Sequence, residues 1–457
     1  SSDLSERTQM SGRVFAVFSA VAAASVLCAA IPVYVMLPLT QVTSSGLSDP
    51  SQLRRDLVTL KGAGVQGVMI DVWWGLSEPS AKSYNFTAYK HLASLCQSVG
   101  LKLQVVMSFH QCGGNVGDDC NIPLPAFVRD VGNANSDIYY KDYNGKPDVE
   151  YINLGVDHEA LFGGRTPLEM YRDFMQAFAA AFRRELGTVI DGVSVGLGPA
   201  FELRYPGYQQ NKGWSYCGVG EFQVNDRYLL ADLKAAATAA GHAEWGGAEP
   251  NNAGSWNARP YDTGFFSSNG FDNYASPYGR FFLAWYQEKL LQHGDDVLAL
   301  AKAAFGGRVP LAAKISGIHW WYDDGSHAAE LTTGYYNTNG NNAYLTIANR
   351  LKKYVDVFDF TCMEMRDSGN NCGSKPASLV RQAIAAVQQA GMDFDGENAL
   401  ELCSGNCDQS GFDQIYTQAT ANGKISHFTY LRMTRSLLDK PNNINTFANF
   451  VAKMANA

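Results

Sequence analysis

The chain has 457 residues, of which 46% are hydrophobic and 18% are charged, a balance that supports a large buried core and excludes global disorder. Its formal net charge is −8, with no cluster of Lys and Arg, which argues against a nucleic-acid partner and favours a neutral substrate. The length fits two or three ordinary domains, or one α/β barrel with long insertions.

The N-terminal segment, residues 1–30, differs in composition from the rest of the chain. The stretch from Val14 to Ala30 is almost wholly apolar. It is shorter than the roughly 20 residues of a membrane-spanning helix, so no stable membrane span is predicted. It suits the apolar region of a signal peptide, a plastid transit peptide, or an ordinary helix lying against the domain. Residues 1–30 are therefore interpreted as a targeting-like segment outside the fold.

The spacing of the cysteines does not indicate a dense disulfide framework. There are nine of them, an odd number scattered through a large chain, and no two have the C-x-x-C spacing of a zinc or redox site. The pattern predicts thiols that are mostly reduced. Histidine, glutamate and cysteine spacings match no metal-binding motif either, so no metal site is predicted.

From residue 31 onward, apolar runs rich in β-branched residues alternate with amphipathic helical stretches. The predicted strands are Val33–Leu39, Gly67–Trp74, Leu101–Phe109, Val189–Leu197, Val309–Gly317, Val357–Glu364, Phe394–Asn398 and Ser426–Arg432. The predicted helices are Ser51–Lys61, Phe86–Ser98, Pro167–Leu186, Gly220–Ala240, Gly279–Phe305, Tyr344–Tyr354, Pro376–Ala390, Gly411–Ala421 and Ile444–Ala457. Eight strands, each tied to a helix, predict an α/β fold of the (β/α)8 TIM-barrel type over residues 31–457, a single catalytic domain. The long βα loops fall at 110–165, 202–220 and 242–279.

Two glutamates follow predicted strands. Glu202 stands in Gly198-Pro199-Ala200-Phe201-Glu202-Leu203-Arg204, and Glu397 in Gly396-Glu397-Asn398-Ala399-Leu400. A single acidic residue is most often a solvated surface charge, but these two lie at strand ends among apolar and turn-forming neighbours. Two carboxylates at strand ends suit hydrolysis of a glycosidic bond. One protonates the leaving oxygen, and the other activates water or attacks the sugar.

Further polar residues stand at the predicted strand ends, where barrel enzymes carry their chemistry. They are Asp71, His110, Lys314, His319, Thr361, Asn398 and Arg432. A lone histidine in such a position is more often a core residue than a ligand-binding one. The nearby tryptophans suit either the core or stacking on sugar faces; they are Trp73, Trp74, Trp320 and Trp321.

The stretch Gly113–Asp119 contains three glycines and is predicted to be a mobile loop. A phosphate cradle is the competing interpretation, but no basic residue follows and two aspartates do. A lid that brings Asp118 onto a sugar hydroxyl is favoured.

Together these motifs resemble the β-amylase family, which releases maltose from the non-reducing ends of starch chains. The matching stretches are Pro32–Leu39, Gly67–Gly75, Met107–Asp118, Gly196–Pro206, Ile315–Tyr322, Phe360–Ser368, Gly396–Leu400 and Thr429–Arg432. The resemblance implies a (β/α)8 barrel that uses no cofactor, acts on α-1,4-glucan (starch or maltooligosaccharide) and inverts the anomeric centre. It also implies a plastid location, with a secreted or cytoplasmic protein as the alternative.

The resemblance assigns roles residue by residue. Glu202 is similar to the general acid of the family and Glu397 to its general base. The positions similar to sugar-binding ones are Asp71, His110, Lys314, His319, Asn398, Ala399 and Arg432, with Asp118 on a closing loop and Thr361 on an inner loop. Phe201 departs from the family, which commonly has glycine there. A catalytically weak, glucan-binding or regulatory relative is therefore the alternative hypothesis.

Overall fold

The computed structural model describes residues 30–367, 372–421 and 423–457, so the predicted targeting segment lies almost wholly outside the described residues. Eight parallel strands form a closed barrel in which each strand pairs with its neighbours in sequence and the last closes on the first. The strands are β1 Val33–Met36, β2 Gly67–Trp73, β3 Lys102–Ser108, β4 Ile190–Val195, β5 Leu311–Ile315, β6 Val357–Phe360, β7 Asp393–Glu397 and β8 His427–Tyr430. The predicted (β/α)8 fold is confirmed.

One long helix follows each strand. These are α1 Pro50–Gly62, α2 Thr87–Val99, α3 Pro167–Ala181, α4 Pro277–Phe305, α5 Ala343–Leu351, α6 Pro376–Ala390, α7 Gln409–Ala421 and α8 Pro441–Ala455. Further helices lie in the connections, at Trp74–Ser77, Ala126–Ala134, Arg227–Ala239, Ala328–Thr332 and Arg435–Asp439. Among the described residues, no helix is both long enough and apolar enough to cross a membrane.

Local sequence explains where the helices begin and end. At α3 the Thr166 side chain accepts from the Glu169 amide while the Glu169 carboxylate accepts from the Thr166 amide, a complete capping box. The helix predicted from Gly220 begins only at Arg227. There the Asp226 carboxylate accepts hydrogen bonds from the amides of Tyr228 and Leu229, both at 2.9 Å, and caps the helix.

The apolar residues form two regions. A large cluster fills the space between the barrel and its helices. A small separate cluster of Met36, Met69, Val106 and Phe201 lies inside the barrel, because successive residues of a strand point alternately to the helices and to the interior. The Phe201 ring thus packs against interior side chains of β1, β2 and β3.

The connections after β3 and β4 are the longest and fold over this mouth. The first contains an antiparallel hairpin of Tyr139–Lys141 and Pro147–Ile152. Among the described residues, three disulfides lie in the loops at the C-terminal end of the barrel, so the prediction of mostly reduced thiols is wrong. They join Cys112 to Cys120, Cys217 to Cys372 and Cys403 to Cys407, while Cys96 and Cys362 are free and buried. The widest pair is 155 residues apart and meets only in the folded state, which spacing alone does not reveal.

Candidate active site

Glu202 reaches the mouth of the barrel through a tight turn after β4. A Cβ on Gly198 would lie 2.4 Å from the carbonyl oxygen of Glu202, so only glycine allows the chain to fold back this closely. Ala200 and Phe201 then adopt φ values of 50° and 54°, a left-handed conformation that is strained for residues with side chains. The turn ends with Glu202 bridged in parallel to the backbone of Lys314.

Two side chains contact the same oxygen of the Glu202 carboxylate. Arg204, which is 1% exposed, donates from Nε to Oε2 of Glu202 at 2.7 Å. The Tyr208 hydroxyl reaches the same oxygen at 3.5 Å, and it also hydrogen-bonds Ser316 Oγ at 2.6 Å. The Arg204 guanidinium lies 4.2 Å from the centre of the Tyr208 ring. These contacts fix the carboxylate in one orientation at the mouth.

Glu397 ends β7 and is 1% exposed. Lys314 forms an ion pair with its Oε2, while Oε1 is buried without a hydrogen-bond partner. The Lys314 ammonium also lies 4.5 Å from the centre of the Phe201 ring. Burial acts to lower the pKa of Lys314, but the carboxylates around it, that of Glu397 foremost, hold the pKa above its usual range. Lys314 therefore contacts both glutamates. Its backbone pairs with that of Glu202, and its side chain forms an ion pair with Glu397.

Asp71 lies on β2 and faces the same space. Ser108 donates a hydrogen bond to its Oδ1 at 2.7 Å. Burial raises the pKa of Asp71 to about 6, although the hydrogen bond from Ser108 and the charges of Arg432 and Lys314 oppose that rise. Arg432 and Lys314 are therefore close enough for their charges to act on Asp71.

His110 follows β3 and stays neutral. Burial lowers its pKa to about 3, and the charges of Arg204 and Lys314 add to the effect. Its Nδ1 is buried without a hydrogen-bond partner, and its ring lies 5.1 Å from that of Trp73. A neutral imidazole with an open nitrogen suits hydrogen bonding to a sugar hydroxyl.

Hydrogen bonds join the loop after β7 to the loop after β8. Asn398 accepts from the Leu431 amide at 2.8 Å and donates to the Leu400 carbonyl at 2.9 Å. The amides of Ala399 and Leu400 both donate to the Glu364 carboxylate. These bonds orient Arg432, the residue after Leu431.

Three further predicted residues make contacts of their own. Asp118 accepts from the amides of Gly113 and Asn115 at 2.7 and 3.1 Å, so its carboxylate shapes its own loop. Thr361 is buried just after β6, where a Cβ on Gly317 would lie 2.9 Å from its methyl group. His319 hydrogen-bonds Ser374 through Nδ1 at 2.7 Å, and burial lowers its pKa to about 4.

Sequence reasoning missed one residue that organises the site. Glu150, in the hairpin after β3, accepts hydrogen bonds from the Ala200 amide at 2.8 Å and from Asn115 Nδ2 at 3.1 Å. It also bonds Gln209, and burial, with the nearby charge of Asp148, raises its pKa to about 8. Glu150 thus joins the lid loop to the turn that carries Glu202. Its sequence context is an ordinary alternating strand, which offers no signal of burial.

The donor set of this region does not suit a metal ion. Among the described residues, Cys112, Asp118 and Cys120 are the group whose ligand atoms come close enough to share one. Both cysteines are consumed by a disulfide, so no thiolate remains to bind a cation.

A closed parallel barrel with two buried glutamates at its C-terminal mouth defines a barrel glycoside hydrolase. Comparison with known proteins gives the family. The family model of glycosyl hydrolase family 14 matches residues 34–457. The chain belongs to this family.

The relatives agree with this assignment. A β-amylase of Glycine max is 47% identical over 440 residues, covering 93% of this chain and 87% of the relative. β-Amylase 1, chloroplastic, of Oryza sativa subsp. japonica is 45% identical over 447 residues, covering 95% and 82%. The crystal structure of the catalytic domain of the β-amylase from Paenibacillus polymyxa superposes with a TM-score of 0.75 at 30% identity, covering 93% of this chain and 98% of that one.

Proposed function

We propose that this protein is an exo-acting hydrolase of α-1,4-glucosidic bonds that releases β-maltose from the non-reducing ends of starch-type glucans, with Glu202 as general acid and Glu397 as general base. The observation that carries the proposal is the connection of both glutamates through Lys314 at the barrel mouth. Family membership and the β-amylase relatives support the reaction. Neither favours the alternative of a catalytically weak, glucan-binding relative.

In this mechanism Glu202 protonates the glycosidic oxygen. The hydrogen bonds that described residues make to its carboxylate fall on Oε2, so Oε1 is the oxygen that carries the proton to the leaving group. Proton transfer leaves a carboxylate, and the Arg204 guanidinium bound to Oε2 stabilises that negative charge. Arg204 therefore stabilises the form of Glu202 that exists after the proton has been transferred.

Glu397 takes a proton from the water that attacks the anomeric carbon. The Lys314 ammonium favours the ionised form of the Glu397 carboxylate, which the general base requires. Inversion needs room for this water between base and sugar, and inverting glycosidases separate their two carboxyl groups by roughly 6.5–9.5 Å. The product leaves as the β-anomer.

The other residues at the mouth bind the sugar hydroxyls in this proposal. His110 and His319 are neutral, and Asp71, Asn398, the Ala399 backbone and Arg432 add donors and acceptors. Asp118 on the lid and Thr361 on the loop after β6 complete the enclosure of the sugar. No cofactor takes part in this mechanism.

We further propose that residues 31–457 act as one catalytic unit in a plastid, to which residues 1–30 would direct it. The chloroplastic relative from Oryza sativa supports this location.

Substitution of each glutamate tests the assignment. Glu202→Gln and Glu397→Gln should each lower kcat on maltopentaose by roughly 10²- to 10⁴-fold, because a positioned proton donor or acceptor contributes about that much. An aryl α-maltoside with a good leaving group needs no protonation. It should restore turnover of Glu202→Gln but not of Glu397→Gln.

The exposed Glu401→Gln is the matched control and should retain wild-type kcat. Near-normal hydrolysis of maltopentaose by either proposed catalytic variant would remove that residue from the mechanism. Rescue of both variants by the activated substrate would contradict the division into acid and base.

A further inference from the structure

A third carboxyl group lies inside the barrel beneath Glu397. Asp359, in the middle of β6, is 4% exposed. It pairs in register with Lys314 on β5 and with Asp395 on β7. Glu397 stands two residues after Asp395 on the same strand, and residues two apart share one face. The strand register therefore places Asp359 next to the Lys314–Glu397 ion pair, on the side away from the mouth.

Two buried oxygens at this junction lack hydrogen-bond partners. They are Oδ1 of Asp359 and Oε1 of Glu397. An ionised carboxylate only accepts hydrogen bonds, so two ionised groups would leave both oxygens unsatisfied and would repel one another. One proton held between the two carboxyls satisfies both oxygens and removes the repulsion, as in other pairs of neighbouring carboxylates.

The surrounding charges decide which carboxyl keeps that proton. Lys314 binds Glu397 directly and favours its ionised form. Burial raises the pKa of Asp359 well above its usual range, the charge of Glu397 raises it further, and that of Asp395 adds to this, while Lys314 opposes the rise. Asp359 is therefore the protonated partner and Glu397 the ionised one.

The remaining charged groups near Asp359 are paired with one another. Asp359 also lines a cavity of about 120 Å³ toward the N-terminal ends of the barrel strands, together with Tyr34, Asp191, Asp395 and His427. The Tyr34 hydroxyl donates to Asp191 at 2.6 Å, and His427 Nδ1 hydrogen-bonds Asp395 at 3.0 Å. His427 is therefore engaged by Asp395, and Lys314 is the cation that acts on Asp359.

We propose that Asp359 is a positioning residue for hydrolysis: its protonated carboxyl donates a hydrogen bond to Oε1 of Glu397 and holds the general base from below. Lys314 holds Oε2, the oxygen that accepts the proton of the attacking water. The inference rests on the proposed role of Glu397 as base. The hydrogen bond is present below the pKa of Asp359 and is lost as the pH rises through it, when Asp359 becomes a negative neighbour of the base.

Two substitutions at Asp359 test this role. Asp359→Asn keeps the shape and a permanent donor, and should retain kcat on maltopentaose within about threefold. Asp359→Leu removes the donor and should lower kcat about 10- to 100-fold with little change in KM, because a hydrogen bond to a charged group is lost. In the Leu variant the acid limb of kcat/KM should move up by about one pH unit, since the ionised base loses a stabilising partner. It should not move in the Asn variant.

A spectroscopic measurement remains informative if the Leu variant does not fold. The infrared spectrum of the wild-type protein at neutral pH should contain a carbonyl band of a buried protonated carboxylic acid that Asp359→Asn lacks. Identical spectra would overturn the proposal, as would equal kcat and equal acid limbs in folded Asn and Leu variants.

Glu397→Gln, measured in parallel, distinguishes failure of the proposed general base from failure of the proposed role of Asp359. Wild-type turnover in Glu397→Gln would refute the proposed base. An inactive Glu397→Gln beside a fully active Asp359→Leu would refute only the role of Asp359.

Discussion

Burial and neighbouring charges together set the charge of the side chains at the mouth of this barrel. The two histidines are held neutral, with pKa values of about 3 and about 4, because the site excludes water from them. Lys314 stays charged because carboxylates surround it. In the proposed mechanism the histidines therefore act as neutral hydrogen-bonding groups at neutral pH, while the proton transfers fall to carboxyl groups.

The ionised carboxylate of Asp71 should destabilise the folded protein at neutral pH. Its pKa is raised from 3.8 to about 6 by burial, so its stabilising contribution is complete below about pH 4 and is lost as the pH rises through about 6. At pH 7 the ionised group lowers the free energy of unfolding by roughly 3 kcal/mol relative to an unshifted carboxyl. Asp71→Asn should therefore be more stable than wild type at pH 7, with an advantage that shrinks toward pH 4.

Urea unfolding at the two pH values measures this difference. Asp130→Asn, on the exposed face of the helix at Ala126–Ala134, is the matched control and should show no such dependence. A stability change in Asp71→Asn that is the same at pH 4 and pH 7 would contradict the assignment.

The loops, more than the strands, determine the shape of the site. Glu150 ties the turn before Glu202 to the lid loop, and Asn398 ties the loops after β7 and β8. The strands were predictable because continuous apolar runs bounded by glycine and polar residues are typical of strands buried in a parallel sheet. The late start of the helix at Arg227 was not, because apolar residues continue upstream at Phe222 and Val224 and the Asp226 cap is what marks the boundary.

The disulfide between the β4 and β6 loops should stabilise the fold most. Cys217 and Cys372 close 155 residues, whereas Cys403 and Cys407 close only four. In the chain-entropy model, loss of the long link costs about 5 kcal/mol and loss of the short link about 2 kcal/mol. Paired Ser substitutions at each disulfide, compared by urea unfolding, test the difference. Equal losses of stability in the two double variants would contradict it.

At the scale of the whole molecule, the barrel brings together residues that are hundreds of positions apart. Asp71, Lys314 and Glu397 lie on three different strands and Glu202 follows a fourth. Their convergence was predictable because barrel strands expose their C-terminal ends at one mouth. The contacts of Arg204, Glu150 and Asp359 could not be predicted in this way. They form between loops or between neighbouring strands, and local sequence patterns do not reveal such contacts.

The stereochemistry of the first product tests the central claim most directly. Hydrolysis of soluble starch or maltopentaose, followed by proton NMR from the first minutes, resolves the two anomers of maltose before they equilibrate. An inverting mechanism with Glu202 as acid and Glu397 as base predicts that β-maltose appears first and that the α-anomer grows in only by mutarotation. Initial release of α-maltose, or of mixed longer oligosaccharides, would contradict the account.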